Sequence, residues 1–300
     1  PGPREGPYKP KPHEIAYAHG LALGDVTIHG IPGRNDWKAS LSTTKPVMMR
    51  VFAMTFGKLS KCGYIRMYPS KDEVTEYKWR AQARLRKEIG EVLSIKDPKE
   101  VLRRYSISRE LLTAFTAGFI DAEGSIHIVI TKRKRVRGGK VVRVTFIEPR
   151  LAMYSTDREI LEEIRKAWAK YGIYFHIRIC GRATPNSKSK IKKPPITWKM
   201  GLQKISALKR LLPELLRYMK HEERIEKAKL ALDILHGRIP KDAKLIRELL
   251  ERIKKEYKEE RDRSVEQAKE DFMNRHAYII YPDLTYEKVK IKDRKRKTNF

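Results

Sequence analysis

Thr116-Ala117-Gly118-Phe119-Ile120-Asp121-Ala122-Glu123-Gly124 has an earlier counterpart in Ala18-His19-Gly20-Leu21-Ala22-Leu23-Gly24-Asp25. Each stretch is apolar, rich in small residues, and ends on an acid. At helical spacing Ala114, Gly118 and Ala122 form one stripe, and Ala18 with Ala22, or Gly20 with Gly24, forms its counterpart. Small residues let two backbones approach closely, so two helices are expected side by side with Asp25 and Glu123 emerging at one end. That end is the negative pole of both helix dipoles. Repulsion and the dipoles both raise the carboxyl pKa values, so an ionised pair there implies a compensating cation, most simply a hard divalent metal with oxygen ligands. The carbonyls of Gly24 and Ala122, unpaired at helix ends, are further candidate ligands. Asp121 reads instead as a structural carboxylate that orders the helix end or bonds backbone across the interface.

The elements after each motif repeat as well. In the first half, strands are expected at residues 26–29 and 37–41, a helix at 46–59, a hairpin at 64–68 and 75–83, and a second helix at 84–93. In the second half, Ile126, Ile128 and Ile130 alternate with Ser125, His127, Val129 and Thr131, the pattern of a half-buried strand. Gly138-Gly139 turns it back through residues 141–146. Thr156-Asp157-Arg158-Glu159 reads as a capping box that opens a helix ending near Gly172. Strands at 174–179 and 196–200 come next, then helices over 202–235 bent at Pro213.

At these residues the chain resembles the LAGLIDADG homing endonucleases. TAGFIDAEG keeps the glycine, internal aspartate, terminal acid and closing glycine of the motif; GLALGDV is similar to the divergent first motif of two-motif members, with Val26 where glycine is usual. The resemblance spans residues 13–236. It implies an α+β fold of two pseudo-symmetric αββαββα halves, with a saddle of antiparallel sheets and two central motif helices. The halves are placed at 13–97 and 109–236, with a linker at 98–108 and a helical extension with a basic tail at 237–300. The activity implied is site-specific, Mg²⁺-dependent hydrolysis of double-stranded DNA at a long asymmetric site, with Asp25 and Glu123 holding the metal. Thr43-Thr44-Lys45 resembles the family's T-Q-K segment, which makes Lys45 a candidate catalytic lysine. The late segment ending Met219-Lys220 does the same for Lys220, with Lys96 as its first-half analogue. Ser155-Thr156-Asp157, opposite Thr43-Thr44-Lys45, offers no lysine, so unequal half-sites are expected. With both half-sites in one chain, a monomer is expected. Neither end shows intein splicing residues, which points to the intron-encoded type. Some relatives are maturases that bind intron RNA, and a cleavage-dead DNA-binding protein is the third alternative.

Composition agrees with a polyanion partner. The formal charge is +30, from 67 Lys+Arg against 37 Asp+Glu, an imbalance that self-repels unless it meets opposite charge. No segment approaches ~20 consecutive apolar residues and no signal-peptide pattern opens the chain, so an intracellular protein without a membrane partner is expected. Cys62 and Cys180 make neither a disulfide framework nor a clustered-cysteine zinc site, and no HNH or GIY-YIG pattern is present. Expected DNA contacts are Arg34, Trp37 and Lys38 in the first half and Arg133, Arg135, Arg137, Lys140 and Arg143 in the second, with Arg133, Arg135, Arg137 and Arg143 best suited to guanine and their facing set by a register that sequence does not fix. The loop carrying Lys188 and Lys190 suits phosphates. Beyond residue 240, Leu245, Leu249, Ile253 and Tyr257 predict an amphipathic helix packed on the core, with a basic arm over 290–297 after it.

Overall fold

The structure, a computed structural model, describes residues 8–31, 33, 36–71, 77–138, 140–182 and 196–291. The first half of the chain runs α1 (Pro12–Ala22), β1 (Thr27–Gly30), β2 (Trp37–Thr43), α2 (Pro46–Leu59), β3 (Ile65–Lys71), β4 (Tyr77–Leu85) and α3 (Lys87–Ser94). After α4 (Pro98–Tyr105), the second half runs α5 (Arg109–Glu123), β5 (Gly124–Arg137), β6 (Lys140–Ser155), α6 (Arg158–Ala169), β7 (His176–Arg182), β8 (Ile196–Leu202), α7 (Ile205–Leu216) and α8 (Glu222–His236). The chain continues through α9 (Ala243–Met273), β9 (His276–Ile280) and β10 (Tyr286–Lys290). Both halves therefore keep the αββαββα order. Two compact units emerge among the described residues, one from residues 8–10, 26–91 and 256–291, the other from 11–25 and 92–255.

In the first unit the strands are ordered β1-β2-β4-β3, extended by β9-β10. Along β4, Trp79, Ala81, Ala83 and Leu85 are buried while Arg80 and Arg84 are exposed, the period-two signature of a sheet with one packed face. α2 opens on Pro46 at its first turn and covers that face with Met49, Phe52, Ala53 and Phe56. The second sheet, β5-β6-β8-β7, repeats the first-second-fourth-third order in the other unit. Its leading hairpin is longer than the alternation suggested, 14 and 16 residues.

Several boundaries differ from the sequence reading for local reasons. The supposed linker contains α4, because the Asp97 carboxylate accepts the Glu100 N–H at 3.0 Å and Pro98 pre-sets the first turn. α6 is capped by Asp157, which accepts from Glu159 N at 2.8 Å, rather than by Thr156. Pro213 lies inside α7, and the chain breaks instead at residues 217–221, where two main-chain N–H groups turn toward Asp121.

The largest departure is at the C-terminus. α9 forms as a 31-residue helix, but a β-hairpin comes after it and pairs with the edge strand β3, Ile65 opposite Ile280 and Met67 opposite Tyr278. Its staple is Asp271, whose fully buried side chain accepts from Tyr278 Oη at 2.6 Å, Lys288 Nζ at 2.9 Å, Gln267 Nε2 at 3.1 Å and His276 Nδ1 at 3.2 Å. Lys290, read as the start of a basic arm, belongs to β10; the rest of that arm beyond Ile291 lies outside the described residues. No helix among the described residues is long and apolar enough to cross a membrane.

Candidate metal centre and nucleic-acid interface

α1 and α5 pack side by side within the second unit. A Cβ on Gly20 would overlap the Phe115 carbonyl oxygen, and one on Gly118 would overlap the Tyr17 carbonyl oxygen. Gly20 and Gly118 hold the same place in the two motifs, as do Tyr17 and Phe115, so the contact is reciprocal about a local two-fold. One turn on, a Cβ on Gly24 would fall 2.8 Å from Glu123 Cγ and 2.5 Å from the Ala122 Cβ. The Gly20–Gly24 stripe, not Ala18–Ala22, thus faces α5. Asp25 and Glu123 emerge from converging ends, Asp25 exposed and Glu123 half-buried.

The local two-fold is imperfect in its side chains. Leu23 in the first motif corresponds to Asp121 in the second, and Asp121 is fully buried. Its Oδ2 accepts from Tyr17 Oη at 2.5 Å, across the helix interface, and from the main-chain N–H groups of Lys220 at 2.6 Å and His221 at 3.2 Å. Burial pushes this carboxyl above the usual aspartate range, opposed by those donors and by Arg224. Asp121 is thereby the structural carboxylate expected, fastening the α7–α8 turn to the motif helices. His19, on the other motif, is buried between Tyr105 Oη at 2.9 Å and the Ile95 carbonyl at 2.8 Å. Burial lowers its pKa to about 4, so the imidazole is neutral near pH 7.

Arg224 went unnoticed in the sequence. From α8 its Nη2 donates to the Ala122 carbonyl at 3.0 Å, and its guanidinium feels the charges of both Asp121 and Asp25. Nothing in a chain with 67 basic residues marks this one out; only the fold brings it to the acid pair. The carboxylates and nearby carbonyls are hard oxygen donors suited to a cation of the Mg²⁺ or Ca²⁺ kind. The space that Gly24 leaves by lacking a Cβ is filled by the Glu123 side chain, which brings that acid to the end of α1. The acid pair therefore fits a hard cation, whereas the Ala122 carbonyl already has a cationic donor upon it. Among the described residues no group of three or more His, Cys, Asp or Glu could hold a metal by itself, so an ion at this pair would complete its coordination with further oxygens such as water.

The lysines fall in different units. Lys220 is half-buried beside the helix pair, its Nζ 4.5 Å from the centre of the Tyr17 ring. Lys96 directly succeeds Ile95, whose carbonyl meets His19 on the first motif. Lys45 is exposed in the first unit at the N-cap of α2, and the neighbouring Thr44 Oγ1 accepts from Arg261 of α9 at 3.2 Å.

Strand register sorts the basic residues by face. In the first sheet Lys38, Arg66, Lys78, Arg80 and Arg84 share the face opposite α2, with Tyr68 and Gln82 hydrogen-bonded between them. Trp37, expected among the DNA contacts, is on the packed face: a Cβ on Gly90 would run into its ring. The β4 cations are legible in the sequence as the alternate positions of an apolar strand. In the second sheet Arg133 and Arg135 flank Phe146, their guanidinium carbons 5.1 and 4.8 Å from its ring centre, and Glu148 bridges Arg133 at 3.0 Å and Arg150 at 2.6 Å. Arg137 pairs through its backbone with Lys140 at the end of the hairpin. Arg143 pairs with Lys134 on the other face, so the register, which the sequence does not fix, separates it from Arg133 and Arg135. Lys199, over the Tyr154 ring, and Arg178 opposite it continue the Arg133 face. Arg34, Lys188 and Lys190 lie outside the described residues.

Glycine-crossed helices ending in paired acids, each succeeded in the chain by a four-strand antiparallel unit of the same strand order, define an internally duplicated α+β protein. No known family model matches the chain, and no curated protein matches it. Solved structures similar to it are homing endonucleases. I-WcaI bound to its DNA recognition sequence is 13% identical, with 72% of this chain and 86% of that chain covered and a TM-score of 0.47. I-DmoI in complex with DNA and manganese is 13% identical, covering 68% and 97%, at 0.41. I-CvuI in complex with its target is 22% identical, covering 48% and 80%, at 0.29.

Proposed function

We propose that the chain is a LAGLIDADG-type endonuclease that cuts both strands of duplex DNA at a long, asymmetric site, using a divalent cation, Mg²⁺ in the cell. The observation that carries this is the glycine crossing of α1 on α5, which delivers Asp25 and Glu123 together where Gly24 meets Ala122 and Glu123. Two acids at the negative ends of two helices are costly unless a cation joins them, and a +30 chain recruits the polyanion whose phosphates complete such a site.

Asp25 and Glu123 would hold the cation. When bound, it supplies charge to the phosphate and lowers the pKa of water. The protein's own groups do the rest. Lys220, held by its main-chain bond to Asp121, is positioned by the fold rather than by its own long side chain. Asp121 and Tyr17 lock the α7–α8 turn to the helix pair, so the two acids and Lys220 share one rigid support. The sheet faces bearing Arg80 and Arg84, and Arg133 and Arg135, supply phosphate and base contacts. A selection of cleaved molecules from a random duplex library in Mg²⁺ tests the reading. Recovery of one extended, non-palindromic sequence supports it; tight binding to intron RNA with no duplex cleavage would transfer the chain to the maturase class.

A further inference from the structure

We infer that Arg224 is a built-in countercharge for the acid pair, a positioning residue that takes the Ala122 carbonyl for itself and lowers the pair's demand for metal. This rests on the reading of Asp25 and Glu123 as cation ligands. Three observations carry it. Nη2 of Arg224 donates to the Ala122 carbonyl at 3.0 Å, the oxygen immediately before Glu123. Nη1 is buried without a protein partner among the described residues, so the guanidinium is placed with one nitrogen committed and the other surrendered, a costly arrangement for hydrogen bonding alone. The charges acting on it include Asp121 beneath and Asp25 at the end of the first motif.

Two carboxylates at converging helix C-termini present a field that attracts cations and also strains the metal-free protein. A fixed guanidinium beside Asp25 relieves part of that repulsion before any ion arrives. It also reduces the field that an ion would feel, and a carbonyl already donating electron density to a cation is a poor ligand for a second one. Leu23 stands in the first motif where the second has Asp121. Asp121 balances a buried arginine on the second motif, whereas Leu23 offers no charge that would hold one on the first. The simpler role for an arginine at a helix C-terminus is to cap a carbonyl and nothing more. Capping predicts a loss of stability when Arg224 is removed, with no change in cation affinity.

The two are separated by calorimetric titration of the full chain with Ca²⁺ alone, comparing the parent, Arg224→Met and Arg224→Lys, each with and without Glu123→Gln. The countercharge role predicts that Glu123-dependent Ca²⁺ binding tightens about tenfold or more in Arg224→Met, because a unit positive charge beside the acid pair has gone. Arg224→Lys, which keeps the charge, should stay near the parent. Unchanged or weaker binding by a folded Arg224→Met protein overturns the inference and leaves Arg224 a cap. Should Arg224→Met fail to fold, Arg224→Gln carries the same expectation while keeping a donor for the Ala122 carbonyl. Absence of any Glu123-dependent binding in all variants instead refutes the two-acid reading itself.

Discussion

At the scale of single residues, three side chains give two sharp expectations. His19 is buried with its pKa lowered to about 4, so it stays neutral while an unfolded histidine protonates near its ordinary 6.5. Between those values the unfolded state binds the extra proton, and stability falls as pH falls through the window. The shift corresponds to roughly 3 kcal/mol, fully present above pH ~6.5 and lost by pH ~4. Urea unfolding across that range should show the decline, and His19→Gln should remove that portion of it; an equal slope in the variant would contradict the assignment. The second expectation concerns arginines on opposite faces of one hairpin. Arg135 shares its face with Phe146 and Arg133, whereas Arg143 pairs with Lys134 on the other. Arg135→Ala should relax sequence preference at a cost of about 1 to 3 kcal/mol, and Arg143→Ala should weaken binding to all sequences alike. Binding measured on selected and scrambled duplexes distinguishes them, and the reverse pattern would place the reading face on the Arg143 side.

At the scale of elements, the C-terminal hairpin depends on Asp271. Burial raises that carboxyl's pKa, but hydrogen bonds from Tyr278, Lys288 and Gln267 outweigh it and hold it below the usual range. Asp271→Ala strands these donors, so it should cost about 2 to 4 kcal/mol and release amide protection in β9 and β10 first. Hydrogen exchange that stayed slow there would show that pairing with β3 alone suffices. Most of the remaining elements were legible in the sequence. α2 falls at 46–59 as expected, because Pro46, the apolar period and Gly63 all act locally, and the two motif helices arise from small residues at fixed spacing. Local pattern could not supply anything settled by a distant partner. The α7–α8 break is decided by Asp121 accepting two N–H groups, not by Pro213. Strand β9 forms because β3 offers an open edge. Arg224 reaches the Ala122 carbonyl only when α8 lies on the end of α5, and Trp37 packs against a glycine in α3.

At the scale of the whole molecule, charge and duplication combine. Binding to any duplex should weaken steeply with salt, with a log-log slope of roughly −0.9 per neutralised phosphate; a flat salt dependence would leave the +30 charge without its partner. Because both motifs reside in one chain, one copy should bind one asymmetric site. The acid pair is the centre of the account, and its test is cleavage of a selected target by the Asp25→Asn, Glu123→Gln double variant beside the parent protein, in Mg²⁺ and in excess EDTA. The double variant should bind the target as tightly as the parent, or tighter, since two negative charges facing phosphates are gone, yet cut neither strand. The parent should cut both strands in Mg²⁺ and none in EDTA. Full double-strand cleavage by the double variant, or undiminished cleavage by the parent in EDTA, would contradict it.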